Sequence, residues 1–227
     1  AFGIPIVEKL NESSKHPQVL VLVPTRELAI QVSEEINTFK GKKKLQIIPV
    51  YGGQSIVQQM QKLRKGVDLV VGTPGRIMDL IRRKSLNLKT VRYVVLDEAD
   101  EMLNMGFIDD IKTILSATNE DRFTYLFSAT MPREIQEVAK TYMKNYEKIV
   151  ALKKQVTVDL TAQIYFEVNA ADKFEALCRI IDIEEDFYGL IFCRTKVDVD
   201  KIASQLGNRG YDTDALHGDI TQAQREK

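Results

Sequence analysis

Several features that define common protein classes are scarce in this sequence. It has no tryptophan, two histidines and two cysteines, and its net charge is zero. Cys178 and Cys193 have apolar neighbours and no partner motif, which argues against a disulfide-stabilised scaffold. His16 and His217 are the only histidines and no Cys-x-x-Cys pair is present, so the sequence offers no zinc site. We expect both cysteines to be buried and reduced.

Long apolar runs are also lacking. No segment reaches the ~20 apolar residues of a membrane-spanning helix, and the first residues do not resemble a secretory signal peptide. We therefore expect a cytoplasmic protein with no membrane partner. Lys and Arg together number 32, as do Asp and Glu. Because the bulk charge is balanced, nucleic-acid binding would depend on local placement of basic residues.

What the sequence does contain is a regular alternation of short apolar runs and segments with helical periodicity. This rhythm predicts the α/β class, with parallel sheets covered by helices. The predicted strands are Val19–Val23, Gln46–Val50, Val67–Val71, Val91–Leu96, Phe123–Phe127, Lys148–Leu152, Gln163–Val168, Gly189–Cys193 and Asp212–Leu216.

Helix-start signals stand between the predicted strands. Ser55 and Gln58 predict a capping box, and Pro74 suits the first position of another helix. Asp172 and Glu175 are expected to cap a helix in the second half of the chain. The basic run Lys40–Lys44 is typical of a solvated loop.

Domain organisation follows from a change in composition. Residues 153–161 are polar and β-branched without helical periodicity, so we interpret them as a linker. They separate a first α/β unit, 1–152, from a second, 162–227, in which only three strands are predicted.

The most informative motif follows the apolar run Val94–Leu96. Asp97, Glu98 and Asp100 place three carboxylates directly after a predicted buried strand. In open α/β sheets, ligands bind beyond the carboxyl ends of the strands. Mg²⁺ prefers a few hard oxygens plus water, so these acids predict the metal-and-water part of a nucleotide-hydrolysing site.

Four further signals stand at predicted strand ends: Pro24–Ala29, Gly52-Gly53, Thr73–Arg76 and Ser128–Thr130. Taken singly, each has a common structural interpretation as a turn, a cap or a solvated loop. Their order along the chain, each at a strand-to-helix transition, makes the functional interpretation stronger. Helix N-termini and glycines at such points suit phosphate groups and close backbone approach.

This ordered set closely resembles the DEAD-box RNA helicases of helicase superfamily 2. The resemblance extends over essentially the whole chain, through Phe192–Thr195, His217–Asp219 and Gln222-x-x-Arg225. It implies two RecA-like lobes, with ATP and Mg²⁺ as cofactors and RNA as the partner. The general style of the sequence also suggests a bacterial source.

The resemblance implies a role for each acid. Asp97 would hold Mg²⁺, mostly through water, and Glu98 would orient and deprotonate the attacking water. Asp100, Ser128 and Thr130 would couple the nucleotide state to the arrangement of the lobes. Such roles suit phosphoryl transfer, which depends on positioning and charge neutralisation.

The resemblance also implies a set of RNA-backbone contacts. In the first lobe they are Thr25, Arg26, Gly53, Thr73, Gly75 and Arg76, and in the second Arg194, Thr195, Gly218, Asp219 and Arg225. Contacts to sugar and phosphate carry no base information, so weak sequence preference and strong salt dependence are expected. For His217 we expect a structural or RNA-neighbouring role.

The sequence departs from the family pattern at both ends. The phosphate loop, which should end just before Ala1, is not in the sequence, and the family's later motifs would follow Lys227. The expectation is an internal fragment with a first lobe missing its phosphate-loop strand, a truncated second lobe, and no ATPase activity by itself.

Three functional hypotheses remain open from the sequence. The first is an ATP-dependent RNA helicase, as the activity of the parent protein. The second is a non-catalytic RNA-binding or regulatory fragment. The third is a DNA-directed translocase of the same superfamily. The motifs Asp-Glu-Ala-Asp and Pro-Thr-Arg-Glu-Leu-Ala argue against this third hypothesis.

Overall fold

The computed structural model describes residues 1–12, 14–151 and 162–225. The chain divides into two compact units, Ala1–Lys148 and Ile149–Lys227. The predicted linker, 153–161, lies outside the described residues, and the predicted unit boundary at residue 152 stays a prediction.

The first unit is built on a five-stranded parallel sheet in the order β2-β3-β1-β4-β5. Its strands are β1 Val19–Leu22, β2 Ile47–Val50, β3 Leu69–Gly72, β4 Tyr93–Leu96 and β5 Phe123–Leu126. These are five of the strands expected from the apolar runs; four are shorter than predicted, and β3 begins two residues later and ends one residue later. All the pairings are parallel, which requires a crossover connection between consecutive strands.

The helices of this unit are α1 Gly3–Lys9, α2 Arg26–Phe39, α3 Ile56–Arg64, α4 Pro74–Arg82, α5 Ala99–Asn104, α6 Ile108–Ala117 and α7 Arg133–Tyr142. The crossovers are supplied by α2 to α6, whereas α1 precedes β1 and α7 follows β5. Thr25 begins α2 as predicted for a strand-to-helix transition, because its hydroxyl accepts a bond of 3.2 Å from the Leu28 N–H. Pro74 occupies the first turn of α4, also as predicted.

The core lies on both faces of the sheet, and the central strand β1 shows why. Leu20 and Leu22 belong to one apolar cluster, whereas Val19 and Val21 belong to the cluster on the other face. All four are fully buried. A strand covered on both faces reads as a continuous apolar run, and each buried aliphatic side chain contributes about 1.5–3 kcal/mol relative to exposure.

The structure corrects three expectations in and near the first unit. Residues 148–151 carry no strand, and Ile149 is 86% exposed, so no apolar face holds this run in a sheet. Ser55 precedes α3 but makes no side-chain cap bond. In the basic run, Lys43 Nζ donates to the carbonyls of Val7 and Leu10 at the end of α1, so this lysine is a cap and not only a solvated charge.

In the second unit the described residues form helices α8 Lys173–Ile183, α9 Lys196–Asn208 and α10 Gln222–Arg225. The three predicted strands, Gln163–Val168, Gly189–Cys193 and Asp212–Leu216, are wrong, because no strand is assigned at these described positions. Tyr165 and Phe192 are 84% and 91% exposed. Parallel strands are stable when covered on both faces, and these segments have no such cover.

Two smaller expectations in this unit have mixed outcomes. Asp172 does precede α8, but its side chain makes no cap bond, and Glu175 pairs with Arg209 instead. Both cysteines are free thiols, with Cys178 buried as expected and Cys193 only half-buried. None of the described helices is long and apolar enough to cross a membrane.

Candidate functional site

The carboxyl edge of the sheet carries the predicted site of the first unit. One hydrogen bond joins each pair of neighbouring strand ends there, so the edge is continuous from β2 to β5. These bonds run from Thr73 N to Val50 O at 3.1 Å, Val23 N to Gly72 O at 3.1 Å, Asp97 N to Leu22 O at 3.0 Å and Phe127 N to Leu96 O at 2.8 Å. The residues that follow each strand are therefore held at defined neighbouring positions.

A left-handed residue turns the chain from β4 into α5. Glu98 has φ 52° and ψ 50°, an uncommon conformation for a residue with a side chain. The bond from Ala99 N to Phe127 O, 3.1 Å, fixes the turn against the end of β5. Such strain is found where the surrounding structure determines the conformation, often at functional sites. The turn leaves Glu98 exposed and Asp97 half-buried.

Asp100 joins α5 to the loop after β5. Its Oδ2 accepts bonds from Thr130 N at 2.9 Å and from Thr130 Oγ1 at 2.8 Å. Its own N–H donates to Ser128 Oγ at 3.1 Å, and that hydroxyl donates to Thr130 O at 2.7 Å. The three residues expected to act together are thus one hydrogen-bonded network.

The pKa values of the acids differ according to their surroundings. Burial raises the pKa of Asp97, although the Glu98 N–H opposes this. Burial, and then the charges of Asp97, Glu101 and Asp100, raise the pKa of Glu98. Burial also acts to raise the pKa of Asp100, but the hydrogen bonds from Thr130, together with the nearby Ser128 hydroxyl, outweigh it and bring the value to about 2. Asp100 is the acid held most firmly in its charged form.

These acids line an open hollow of about 540 Å³, together with Phe127, Ser128 and Ala129. Among the described residues there is no cluster of three or more side chains able to enclose a metal ion. Mg²⁺ does not need one, because it keeps several waters and uses one or two carboxylates with substrate phosphates. Asp97, whose burial disfavours its charged form, fits that requirement because a cation would stabilise the carboxylate.

A basic cluster occupies the other half of the same edge. Arg76 donates from Nη1 and Nη2 to Gln54 O at 3.2 Å, and from Nη1 to Gln59 Oε1 at 3.0 Å. Gln59 is buried and donates to Tyr51 O at 3.0 Å. Burial first, and then the charges of Arg26 and Arg83, lower the pKa of Arg76, against the opposite effect of Asp79. An anion bound here would relieve that repulsion.

Arg26 lies directly beneath Gly53. A Cβ built on Gly53 would stand 2.5 Å from Arg26 Nη1, so the flexible guanidinium would have to shift, and the residue has φ 89°, which is the feature that favours glycine here. Gly75 differs, because a Cβ there meets no atom of the described residues within 4 Å. Thr73 is buried at the end of β3 and precedes α4. The structure therefore gathers all six predicted RNA contacts of the first unit after β1, β2 and β3.

In the second unit the predicted residues also meet one another. Thr195 begins α9, where its Oγ1 accepts from Asp198 N at 3.1 Å. Lys196 Nζ, the next residue, pairs with Asp219 Oδ2 at 2.6 Å. Arg225 Nη2 donates to His217 O at 2.7 Å. Arg194 is exposed just before α9, and Gly218 is exposed between His217 and Asp219.

Comparison with known proteins decides the family. The family model described as DEAD/DEAH box helicase matches residues 1–138, and the model described as helicase conserved C-terminal domain matches residues 172–227. The chain belongs to the DEAD-box helicase family. The predicted resemblance is confirmed.

Relatives of this DEAD-box chain come from archaea and bacteria. It is 52% identical over 227 residues to a probable ATP-dependent RNA helicase of Methanocaldococcus jannaschii, covering all of this chain and 60% of that protein. It is 48% identical over 225 residues to the DEAD-box ATP-dependent RNA helicase CshA of Bacillus subtilis, covering 99% of this chain and 46% of that protein. The expected bacterial source stays a prediction.

A solved structure supports the α/β fold. The crystal structure of a DEAD box protein from the hyperthermophile Methanococcus jannaschii has a TM-score of 0.65 and 51% identity. The match covers 99% of this chain and 60% of that one. The chain thus spans about half to three-fifths of the length of the relatives that it matches. The fold class predicted from the sequence is confirmed.

Sequence reasoning missed two elements of the DEAD-box site. Gln59 and the Gln54 carbonyl hold Arg76 in place, and the partners lie 17 and 22 residues from it. No local pattern signals that contact. Phe127 supplies the carbonyl that fixes Ala99 and packs its ring 5.4 Å from that of Phe2. The apolar sequence at the end of β5 predicts a strand, but it does not predict the contacts of Phe127 with Ala99 and Phe2.

Proposed function

We propose that the protein of which this chain forms part is an ATP-dependent RNA helicase, with Mg²⁺ as the metal cofactor. The observation that carries the proposal is the division of one sheet edge. Carboxylates and the Asp100 network follow β4 and β5, and arginines and glycines follow β1, β2 and β3. Because β1 and β4 are hydrogen-bonded neighbours, a nucleotide site and an RNA site would share a rigid boundary.

On the acidic side, the proposed roles follow from the environment of each carboxylate. Asp97 would hold Mg²⁺, chiefly through water molecules. The bound ion would neutralise charge on the nucleotide phosphates. Glu98 is exposed and its pKa is raised, so it is suited to accept a proton from the attacking water. Asp100, Ser128 and Thr130 would transmit the state of this site to the loop after β5.

On the basic side, the proposed contacts are to the sugar-phosphate backbone. Arg26 and Arg76 would bind phosphates, and Gly53 and Gly75 would let the backbone approach closely. Thr25 and Thr73 stand at helix starts, where N–H groups suit phosphate. The second unit would contribute Arg194, Thr195, Gly218, Asp219 and Arg225 from the cluster around α9. Unwinding of short duplexes would follow from binding by both units.

The test is RNA-stimulated ATPase activity of the protein at its natural length. We expect hydrolysis that depends on RNA and Mg²⁺, and its loss in Glu98→Gln, which keeps the size of the side chain and removes the base. DNA of the same sequence serves as the control for a DNA-directed translocase. Equal activity of wild type and Glu98→Gln would contradict the proposed hydrolysis. RNA binding without any turnover would support the non-catalytic alternative instead.

A further inference from the structure

We propose that Asp200, acting through His217, is a positioning residue that holds the Gly218–Asp219 backbone in place for RNA. The inference rests on the proposed function, which assigns RNA contacts to Gly218 and Asp219. It adds two residues, Asp200 on α9 and the ring of His217, to which no RNA contact is assigned.

Two side chains of α9 contact the loop 217–219. Lys196 and Asp200 are four residues apart, so they share one face of the helix. Lys196 Nζ pairs with Asp219 Oδ2 at 2.6 Å, and Asp200 Oδ1 meets His217 Nε2 at 2.9 Å. His217 and Asp219 are two residues apart. The helix therefore holds the loop at two points, on either side of Gly218.

Both ring nitrogens of His217 have hydrogen-bond partners. The Asp219 N–H donates to His217 Nδ1 at 3.4 Å. A backbone N–H can only donate, so Nδ1 acts as the acceptor, which leaves Nε2 to carry the proton and donate to Asp200. Both ring nitrogens are thereby assigned, one to the loop backbone and one to α9. The side chain of His217 is only 13% exposed, whereas that of Asp200 is 61% exposed.

The loop is held from a second helix, and the space beside Gly218 is open. Arg225 Nη2 donates to His217 O at 2.7 Å and Arg225 Nε to Ile220 O at 3.3 Å, so the loop is also held from the side of α10. A Cβ on Gly218 would meet no atom of the described residues within 4 Å. The backbone of residues 217–219 is thus held in one conformation, with open space beside Gly218. Such a loop is preorganised for a ligand that approaches closely, and preorganisation lowers the free-energy cost of binding.

The experiment measures RNA-stimulated ATPase activity of the protein at its natural length, with RNA varied to saturation. For Asp200→Ala we expect the RNA concentration for half-maximal stimulation to rise about three- to tenfold, with kcat at saturating RNA unchanged. Asp200→Asn keeps an acceptor for His217 Nε2 and is expected to restore the native value to within about twofold. Loss of fold would lower kcat and the melting temperature, which separates a structural role from positioning.

Two further variants sharpen the test. His217→Ala is expected to have an effect at least as large as that of Asp200→Ala, because it removes the bond to Asp200 and also the acceptor of the Asp219 N–H. The double variant should add little to His217→Ala, because the interaction with Asp200 is already lost. Asp182→Ala is the matched control. It removes a bond of 2.6 Å from the Tyr211 hydroxyl, which lies in the same unit and involves none of residues 217–219. We expect its RNA half-saturation to equal that of wild type.

The possible outcomes separate this inference from the proposed function. Additive effects of Asp200→Ala and His217→Ala, a lowered kcat, or an equal effect of Asp182→Ala would each overturn the positioning role while RNA stimulation persists. A wild-type protein that RNA neither stimulates nor binds would overturn the proposed function itself, and this inference with it.

Discussion

Thr130 donates two hydrogen bonds to one carboxylate oxygen of Asp100, from its N–H at 2.9 Å and from its hydroxyl at 2.8 Å. The pair joins the first turn of α5 to the loop after β5. Because both donors favour the charged carboxylate, they outweigh the effect of burial and keep the pKa of Asp100 near 2.

Replacing the Thr130 hydroxyl is the direct test of this pair. In Thr130→Val the N–H bond remains, so we expect the pKa of Asp100 to rise part of the way from about 2 towards its ordinary value of 3.8. Carboxyl carbon chemical shifts followed against pH measure it. Thr113→Val is the matched control, because that hydroxyl donates to the Asp109 carbonyl in α6. An unchanged Asp100 pKa in Thr130→Val would show that the hydroxyl bond contributes nothing.

The same depressed pKa predicts how stability depends on pH. A carboxyl whose pKa is lower in the folded state stabilises the fold above its unfolded pKa, and that contribution is lost as pH falls. For Asp100 the window lies between about 4 and about 2. We expect Asp100→Asn to remove this part of the acid transition, as measured by denaturant unfolding at successive pH values. An identical acid profile for both proteins would contradict the prediction.

Asp97 predicts the opposite trend. Its pKa is raised, chiefly by burial, so its contribution to stability is greatest when the carboxyl is protonated and falls as pH rises through the folded pKa. In metal-free buffer at pH 7, Asp97→Asn is expected to melt about 1–2 °C higher than wild type, a small gain because Asp97 is only half-buried. The difference should shrink towards pH 4.

Two observations would decide the Asp97 prediction. Glu137→Gln, an exposed acid on α7, is the control for the loss of one negative charge and should leave the melting temperature unchanged. A lower melting temperature for Asp97→Asn would contradict the prediction, because it would mean that the charged carboxylate stabilises the metal-free fold.

The sheet of the first unit could be predicted from the sequence because its signal is local. Parallel strands buried on both faces read as apolar runs, and Val19–Leu22 and Tyr93–Leu96 are such runs. The run Gln163–Val168 has four apolar residues in six, yet its side chains are exposed and no strand forms there. A run of apolar residues indicates what could be buried, and only the surrounding elements determine whether it is.

Only those site residues that directly follow a strand could be located from the sequence. The positions of Asp100 and Thr130 follow from the sheet, since both lie just beyond neighbouring strands. The left-handed conformation of Glu98 could not be predicted, because no glycine or asparagine marks it. The partners of Arg76 could not be predicted either. Gln54 precedes α3 and Gln59 lies within it, and both contact Arg76 only in the folded chain.

Gly53 and Gly75 are both proposed to let the backbone approach RNA, but their substitution should affect stability differently. Gly53→Ala would place a side chain at φ 89°, so we expect a loss of stability of about 1–2 kcal/mol. Gly75→Ala meets no described atom within 4 Å in the first turn of α4, so its unfolding free energy should be unchanged or slightly higher. RNA affinity of Gly75→Ala should nevertheless fall, as measured by fluorescence anisotropy. Native RNA affinity in a normally folded Gly75→Ala protein would contradict the proposed close approach.

Arg76 provides a direct test of whether the arginines at the carboxyl edge of the sheet bind RNA phosphates. If its guanidinium binds an RNA phosphate, Arg76→Gln should reduce the slope of log affinity against log salt by about 0.7, the value for one phosphate on a single strand. Gln59 and the Gln54 carbonyl are neutral, so their bonds position the guanidinium without neutralising it. Arg82→Gln is the matched control, since that exposed arginine lies at the far end of α4 and pairs with Asp79 at 4.0 Å. Equal slopes for Arg76→Gln and wild type would exclude a phosphate contact at Arg76, because a lost ionic contact must release fewer counterions on binding.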